Sequence, residues 1–79
     1  MHCLIYKSRK KELVFVYCAS AEVTDRLPAV LRERLGGLDR VMSLSLSPQR
    51  RLAQANAATV LINLRRLGYY VQSSDSVDV

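Results

Sequence analysis

Residues 50–72 read RRLAQANAATVLINLRRLGYYVQ, and the middle of this stretch has the pattern of an α-helix. Its apolar side chains recur at spacings of three and four, which places them on one helical face: Ala57, Val60, Leu61, Leu64 and Leu67. Asn56 is a good N-cap for this helix, and Gly68 supplies the left-handed residue with which many helices end. Residues 69–72 then predict a closing strand, in which Tyr69 and Tyr70 point to opposite faces.

The N-terminal part of the chain predicts a β-hairpin. Two apolar runs, at residues 3–6 and 13–18, are separated by a charged stretch. If residues 8–11 form a four-residue loop, the numbers of paired residues sum to 19 and Lys7 lies opposite Glu12. Both faces of the hairpin are then apolar. It therefore belongs in the middle of a sheet with both faces covered, or it leaves a patch that needs a partner.

The two cysteines fit a structural role. In this register Cys18 lies diagonally across from Cys3, about 7–8 Å away, which is too far for a disulfide without backbone movement. The sequence has no CxxC pair, and its single histidine is His2. We therefore predict reduced, buried thiols and no metal site.

A further amphipathic helix is predicted between the hairpin and the middle of the chain. Its apolar residues are Val23, Leu27, Val30, Leu31 and Leu35. Either Thr24 or Asp25 caps this helix, and Pro28 lies in its first turn because proline has no N–H to donate. The glycines Gly36 and Gly37 end it.

Alternating residues predict a strand over residues 38–47, with Met42, Leu44 and Leu46 on one side and mainly serines on the other. A strand with one solvent-exposed face is expected near a sheet edge. A turn follows, and residues 52–54 predict a short additional strand.

Together these elements predict an α+β fold. We expect a mainly antiparallel sheet of four to five strands with two helices packed against it, in the order β-β-α-β-(β)-α-β. A chain of 79 residues allows one domain, which we place at residues 1–72, with a polar, disordered tail at 73–79. No apolar run approaches the roughly 18 residues that span a bilayer, and residues 1–11 are the reverse of a secretory signal, so we predict a cytoplasmic protein.

Four segments, CLIYKS, LPAVLRERLG, RRLAQAN and LRRLGYYVQ, resemble the YcgL domain family of bacteria. The resemblance extends over most of the chain, and its most specific part combines the opening strand with the closing GYY-hydrophobe-Gln strand. It implies a small α+β fold with helices against a mainly antiparallel sheet, and it implies no established reaction. The second helix departs from the family pattern, because it carries Leu61 and Ile62 where more charge is expected, and this widens its apolar surface.

Charge is distributed unevenly along the chain. Residues 1–72 hold all 12 Lys and Arg but only five Asp and Glu, which leaves 12 − 5 = +7, and the other two acids lie in the tail. The basic residues form three clusters, at the hairpin tip, before the short strand and at the end of the second helix: Lys7, Arg9, Lys10 and Lys11; Arg50 and Arg51; Arg65 and Arg66. Each cluster has a structural explanation in solubility or helix-end electrostatics. Each is also a candidate nucleic-acid contact if the clusters converge on one face.

Aromatic side chains give the nucleic-acid hypothesis limited support. Four tyrosines would be stacking platforms if they were exposed: Tyr6, Tyr17, Tyr69 and Tyr70. Of these, Tyr69 and Tyr70 are the candidate exposed aromatics. The sequence contains no RNP-like aromatic motif, and alternating aromatics in an apolar strand are typical of a core.

No pattern in the sequence predicts catalysis or a cofactor. The only imidazole, His2, sits at the N-terminus, so a Cys-His or Ser-His pair would depend on a frayed residue. The carboxylates of Glu22, Asp25 and Glu33 lie near one helix, where a solvated carboxylate is the default. The Gly36-Gly37 pair follows a helix rather than preceding one, so it is not a phosphate loop. We therefore name no catalytic, cofactor-binding or metal-ligating residue.

Two functional hypotheses follow from the sequence. The first is a small interaction module without catalysis, which binds another protein or self-associates as a homodimer through the apolar hairpin and Ile62. The alternative is an RNA- or DNA-contacting accessory protein that uses the hairpin-tip cluster and Arg50-Arg51. We predict no membrane or metal partner.

Overall fold

The computed structural model describes residues 1–52 and 55–73. The elements in these residues follow one another in this order: β1 (His2–Ser8), β2 (Val14–Cys18), a 3-10 helix (Ala21–Asp25), α1 (Ala29–Leu35), β3 (Leu38–Ser45), α2 (Ala57–Arg66) and β4 (Tyr69–Ser73). The strands form one sheet in the order β3-β1-β2-β4, and every neighbouring pair is antiparallel. The predicted α+β fold is confirmed.

The hairpin strands β1 and β2 occupy the middle of the sheet, as their two apolar faces predict. One face packs against α2, and we call it the α2 face. Its buried layer contains Cys3, Ile5, Tyr17, Leu44, Leu46, Ala57, Val60, Leu61 and Leu64. The other, which we call the α1 face, packs against α1 and the 3-10 helix, and its buried layer contains Tyr6, Val14, Val16, Cys18 and Leu35. Two helical layers therefore bury most of the hairpin.

The hairpin register differs from the predicted one. Leu4 pairs with Cys18 and Lys7 pairs with Phe15, so the numbers of paired residues sum to 22 rather than 19. A shift of three residues exchanges the two faces of β2 relative to β1, since side chains alternate with a period of two. The predicted pairing of Lys7 with Glu12 is therefore wrong, because Glu12 lies in the loop.

A buried hydroxyl and a left-handed residue explain the longer loop. The hydroxyl of Ser8 donates to the carbonyl of Leu35 at 2.6 Å and accepts from the backbone N–H groups of Lys10 at 3.2 Å and Lys11 at 3.0 Å. These bonds hold Ser8 at the end of β1 beneath the end of α1. Leu13 then adopts a φ of 63°, which turns the chain into β2.

The same register places the two cysteines in different layers. Cys3 lies on the α2 face and Cys18 on the α1 face, so the predicted diagonal arrangement on one face is wrong. Both thiols are free and buried. Burial, with a smaller contribution from Cys3, raises the pKa of Cys18 to about 11, and burial also raises the pKa of Cys3.

The predicted helix before the middle of the chain is divided into the 3-10 helix and α1. Pro28 is the N-cap of α1, with φ −53° and ψ 140°, so neither Thr24 nor Asp25 caps this helix. The residue before a proline is disfavoured in the helical region, which separates the two pieces at Leu27. Gly36, with φ 68°, ends α1 as predicted.

The helix α2 agrees closely with its prediction. Asn56 caps α2, and its side-chain oxygen accepts from the backbone N–H of Thr59 at 3.2 Å. Four of the five predicted core residues are buried, whereas Leu67 lies beyond the last helical turn and is exposed. Gly68, with φ 87°, ends the helix before β4.

Val30 is a second exception to the predicted core. It is exposed on α1, while Leu35 is buried and Leu31 is half-buried. Leu31 and Leu35 are four residues apart and share one helical face, whereas Val30 is turned away from it by about 100°. The short α1 therefore buries a narrower stripe than the sequence indicates.

β3 is an edge strand, as its predicted solvent-exposed face indicates. Its pairing with β1 shifts at one point, where Ile5 pairs with Met42 but Tyr6 pairs with Arg40. Val41 is thus an extra residue without a partner and forms a β-bulge. Bulges are common at sheet edges, where they twist the strand and discourage pairing with other chains.

The buried side of β3 is only partly as predicted. Leu44 and Leu46 are buried, but Met42 is 50% exposed, so its predicted place in the core is wrong. The chain leaves the strand at Ser45, and Leu46 is held by the N-terminal residue instead. Its N–H donates to the carbonyl of Met1 at 2.6 Å, and its carbonyl accepts from the terminal ammonium at 2.7 Å.

Two predictions fall wholly or partly outside the described residues. Of the short strand expected at 52–54, residues 53 and 54 are not described, and Arg51 beside it forms an isolated bridge with Asn56. Residues 74–79 of the predicted tail are also outside the described range. Ser73, which we assigned to the tail, is instead the last residue of β4.

Candidate interaction surface

The α2 face of the sheet is built from cross-strand rows of side chains. The row nearest the hairpin tip contains Asp39, Lys7, Phe15 and Gln72, and the middle row contains Met42, Ile5, Tyr17 and Tyr70. The next row, farther from the tip, contains Leu44 and Cys3. Because α2 contacts β2 and β4 most closely, it leaves the β3 side of the middle row uncovered.

This uncovered area is a shallow apolar bowl of about 180 Å³, which we call the open patch. It is lined by Ile5, Phe15, Tyr17, Val41, Met42 and Gln72. Val41 and Met42 are 49% and 50% exposed, and Phe15 beside them is half-buried. Scattered apolar residues on a surface need no explanation, but adjoining ones around a concave site form a candidate contact surface.

The tyrosine hydroxyl of the open patch is already paired. The hydroxyl of Tyr17 donates to the side-chain oxygen of Gln72 at 2.9 Å. The ring of Tyr17 meets Tyr70 edge-on, with centroids 6.0 Å apart at 70°, and burial raises the pKa of Tyr17. A partner that covers the patch would therefore leave no tyrosine hydroxyl without a hydrogen bond.

A charged rim borders the open patch on the hairpin side. Lys7 lies in the tip row between Asp39 and Phe15. Arg9 donates from Nε at 3.0 Å and from Nη2 at 2.6 Å to the carboxylate of Asp39. This hydrogen bonding lowers the pKa of Asp39 and raises that of Arg9. Arg9 thus ties the hairpin tip to β3 and is occupied within the chain.

The structure separates the predicted basic clusters. Lys7, Arg9, Lys10 and Lys11 lie at the hairpin tip. Arg50 lies at the opposite end of β1, in a turn closed by its N–H bond to Ser47 directly after the contact between Leu46 and Met1. Seven residues of β1 separate these ends, which corresponds to about 23 Å. The tip cluster and Arg50 therefore do not converge.

The cluster at the end of α2 lies at the same end of the sheet as Arg50. Arg65 and Arg66 form the last turn of α2, and the carbonyl of Gly68 accepts from Ala19, just beyond β2, at 2.9 Å. Arg51 is joined by its backbone to the N-cap of α2. These four arginines are exposed, and within residues 1–52 and 55–73 none of them has a carboxylate partner within 4.0 Å.

The tyrosines do not form one stacking platform. Tyr69 is half-buried on the α1 face and Tyr70 is half-buried on the α2 face, so they point to opposite sides as the strand predicts. Tyr6 and Tyr17 are buried. Each face of the sheet therefore presents at most one partly exposed tyrosine ring.

The described part of the chain contains no group of three or more His, Cys, Asp or Glu side chains placed to hold a metal ion. None of its helices has both the length and the apolar character needed to cross a membrane.

Comparison with known proteins supplies the family. The sequence profile of the YcgL domain matches residues 3–75. The chain belongs to the YcgL domain family. A YcgL domain-containing protein of Xanthomonas euvesicatoria pv. vesicatoria (strain 85-10) is 44% identical over 72 residues, which cover 91% of this chain and 84% of the relative. A YcgL domain-containing protein of Pseudomonas fluorescens (strain SBW25) is 33% identical over 76 residues, covering 96% of this chain and 78% of the relative.

The YcgL match takes in nearly every element described above, from β1 to β4. The names of both relatives give the domain and no reaction, ligand or partner. A function for this YcgL domain must therefore be argued from its own surface.

Sequence reasoning left open a hairpin patch that needs a partner, but it did not locate the open patch. Met42 was expected on the buried side of β3. One signal was available, since the adjoining apolar pair Val41-Met42 interrupts the alternation of the strand. Such an interruption indicates a bulge, and it gives one strand two apolar side chains that the pleat alone does not bury.

Proposed function

We propose that this YcgL domain is a protein-interaction module that binds an acidic protein partner at the open patch. The observation that carries the proposal is the half-exposure of Val41 and Met42 next to Phe15, beside a face that α2 covers only in part. Methionine and aromatic side chains are enriched in protein interfaces, whose centres are depleted of charge and whose rims are polar. The open patch and its rim have this composition.

Charge favours a partner other than a second copy of the chain. Residues 1–72 carry 12 − 5 = +7, so two copies repel each other. The hairpin tip, which includes the rim, carries four basic residues against Glu12 and Asp39, or 4 − 2 = +2. A partner with carboxylates around one or two apolar side chains complements this arrangement.

The size of the open patch limits the affinity. A standard protein interface buries about 800 Å² on each partner, with some 20–30 residues a side. Six lining residues are far fewer than this. We therefore expect a transient complex with a dissociation constant in the micromolar range.

The first test is a binding comparison with Met42→Asp. We expect this variant to lose a protein that the wild-type chain retains from a bacterial lysate, because a carboxylate in the patch is costly to desolvate and repels an acidic partner. Ile62→Asp is the matched control, since Ile62 is equally exposed, at 54%, but lies on the outer side of α2. The retained protein is then purified and titrated against both variants, with a loss of about tenfold or more expected for Met42→Asp alone.

Two results would contradict this assignment. If no protein is retained in a Met42-dependent way, or if Ile62→Asp abolishes the same binding, the open patch is not the contact surface. If the wild-type chain sediments as a dimer and Met42→Asp as a monomer, the occupant is a second copy rather than an acidic partner.

A second candidate function rests on the four exposed arginines without carboxylate partners, Arg50, Arg51, Arg65 and Arg66. Under this proposal the end of the sheet opposite the hairpin tip contacts phosphates of RNA or DNA. Of the residues proposed from sequence, Lys7, Arg9, Lys10 and Lys11 then lie too far away to touch the same few phosphates.

Fluorescence anisotropy of labelled single-stranded RNA and duplex DNA tests this candidate at about 50 and 200 mM salt. We expect binding below about 10 μM at the lower salt and a steep loss at the higher salt. Replacing Arg65 and Arg66 with Ala should lower the number of ions released on binding by up to two, which makes the affinity less dependent on salt. Replacing Lys10 and Lys11 should change this number little. Negligible binding at the lower salt would contradict the proposed nucleic-acid function. An equal effect of both double substitutions would contradict the assignment of the contact to the end of the sheet opposite the hairpin tip.

A further inference from the structure

A second cleft lies on the α1 face, where the 3-10 helix and α1 meet β1 and the start of β3. Its volume is about 230 Å³, and it is lined by Tyr6, Thr24, Asp25, Arg32, Gly36, Gly37 and Leu38. None of these residues lines the open patch. The cleft is more polar than the open patch, and it contains side chains of both charges.

The hydroxyl of Tyr6 is the distinctive group in this cleft. Tyr6 is 8% exposed, and its ring is part of the buried layer with Leu35 and Val16. Its hydroxyl has no hydrogen-bond partner in the described part of the chain. Every side-chain polar atom that is fully shielded from solvent in this part of the chain does have a partner. The hydroxyl is therefore open to solvent, and because Tyr6 lines the cleft, a molecule bound there can pair with it. A buried tyrosine usually finds such a partner within its own protein.

Two opposite charges border the same cleft without neutralising each other. Asp25 and Arg32 both line it, and among the described residues they form no ion pair with each other. The neighbouring Arg26 is directed to Glu22 instead, at 3.7 Å. A carboxylate and a guanidinium that face one space without contact leave room for a molecule between them.

The hydrogen-bonding capacity of the cleft is divided in the same way. Arg32 and the hydroxyl of Tyr6 can donate to an anionic group. Asp25 can only accept, and the hydroxyl of Thr24 already donates to the carbonyl of Ala21 at 2.8 Å, so it too is left to accept. The cleft thus contains donors that suit a carboxylate and acceptors that suit an ammonium group.

We propose that this cleft binds a small zwitterion of the α-amino-acid class. The carboxylate of the ligand is held by Arg32 and the Tyr6 hydroxyl, and its ammonium group is held by Asp25 and Thr24. An ion with a single charge is attracted by one of the two charged side chains and repelled by the other, so its net gain is smaller. The inference does not depend on the proposed function.

The dimensions and exposure of the cleft set the expected affinity. Sites for drug-sized ligands have volumes of roughly 300–1,000 Å³, so a cleft of about 230 Å³ selects a smaller molecule. Asp25 and Arg32 are exposed, and solvent screens charge pairs at such positions. We therefore expect a dissociation constant of about 1 mM for a free amino acid.

The test is a titration of the ¹⁵N-labelled full chain followed by amide NMR shifts. L-alanine serves as the zwitterionic probe, and acetate and methylammonium serve as probes that carry one charge each. We expect saturable shifts at Gly36, Gly37 and Thr24 with L-alanine, and at least tenfold weaker binding of either single-charge probe. Equal binding of acetate would overturn the zwitterion assignment, and the absence of saturable shifts up to about 50 mM L-alanine would overturn the site.

Three variants assign the binding to the named groups. Tyr6→Phe removes only the hydroxyl, and we expect it to weaken L-alanine binding about fivefold or more. Arg32→Gln should have a similar effect, and because Arg32 is exposed this variant remains informative if Tyr6→Phe disturbs the core. Arg34→Gln is the matched control, since Arg34 lies on the same helix but lines a different depression with Lys10 and Glu33. Unchanged binding in Tyr6→Phe and Arg32→Gln, or an equal loss in Arg34→Gln, would overturn the proposal.

Discussion

Replacing Leu46 with Ala is expected to lower the free energy of unfolding by about 2–5 kcal/mol, the usual cost of truncating a buried leucine. Leu46 is 1% exposed and belongs to the layer beneath α2. Its backbone bonds to Met1 do not involve the side chain, so the loss comes from the cavity and from missing contacts. A domain of this size has a total stability of only about 4–12 kcal/mol, so the variant loses a large share of it.

Urea denaturation followed by circular dichroism measures this effect, and Met42→Ala provides the control. Met42 lies on β3 four residues before Leu46 and faces the same side of the sheet, but it is 50% exposed. We expect Met42→Ala to change the free energy of unfolding by less than about 0.5 kcal/mol. Equal destabilisation by both substitutions would mean that the open patch is part of the core, which would also contradict its proposed role as a contact surface.

The parts of the fold that sequence predicted correctly are those with local causes. The start of α2 follows from Asn56, its end follows from Gly68, and its buried face follows from the spacing of Val60, Leu61 and Leu64. Each of these signals acts within a few residues of the chain. The central position of the hairpin was also predictable, because residues that are apolar on both faces require two covering layers.

The parts that sequence did not predict depend on contacts between distant segments. The hairpin register is supported by the bond from Ser8 to the carbonyl of Leu35, 27 residues away. The left-handed conformation of Leu13 is unusual for a leucine, and nothing in its neighbours indicates it. The division at Pro28 was visible in sequence, but we placed the proline inside the helix when it stands at the cap.

The positions of the two proposed binding surfaces could not be predicted from sequence, for a related reason. The open patch exists because α2 lies over β2 and β4, and no local pattern says where along a sheet a helix comes to rest. The proposed amino-acid cleft requires Asp25 and Arg32 to face one space from two separate helical pieces, whereas the sequence predicted one continuous helix with Asp25 as its cap or as a solvated carboxylate. In both cases the sequence shows the residue types, but it does not show which residues become neighbours in the fold.

Alkaline pH is expected to destabilise the protein through Cys18. Its pKa is raised from 9.0 to about 11, chiefly because burial disfavours the thiolate. The folded chain therefore holds this proton more tightly than the unfolded chain does. The resulting stabilisation is complete below pH 9 and is lost as the pH rises through the folded pKa, so the free energy of unfolding should fall by roughly 2–3 kcal/mol between about pH 9 and 11.

Comparison with Cys18→Ala isolates this contribution from that of the other ionisable groups of the chain. At pH 8 the variant should be less stable than the wild-type chain, because it loses a fully buried side chain from the layer beneath α1. Denaturant unfolding at steps from pH 8 to 11 should show that the difference in free energy of unfolding between the two proteins shrinks as the pH rises. Only the wild-type chain has a buried thiol at this position, which must either stay protonated at high pH or become a buried thiolate. A constant difference across this range would mean that Cys18 titrates alike in both states. The surroundings of Cys18, in the layer between β2 and α1, would then have to admit more water than its complete burial indicates.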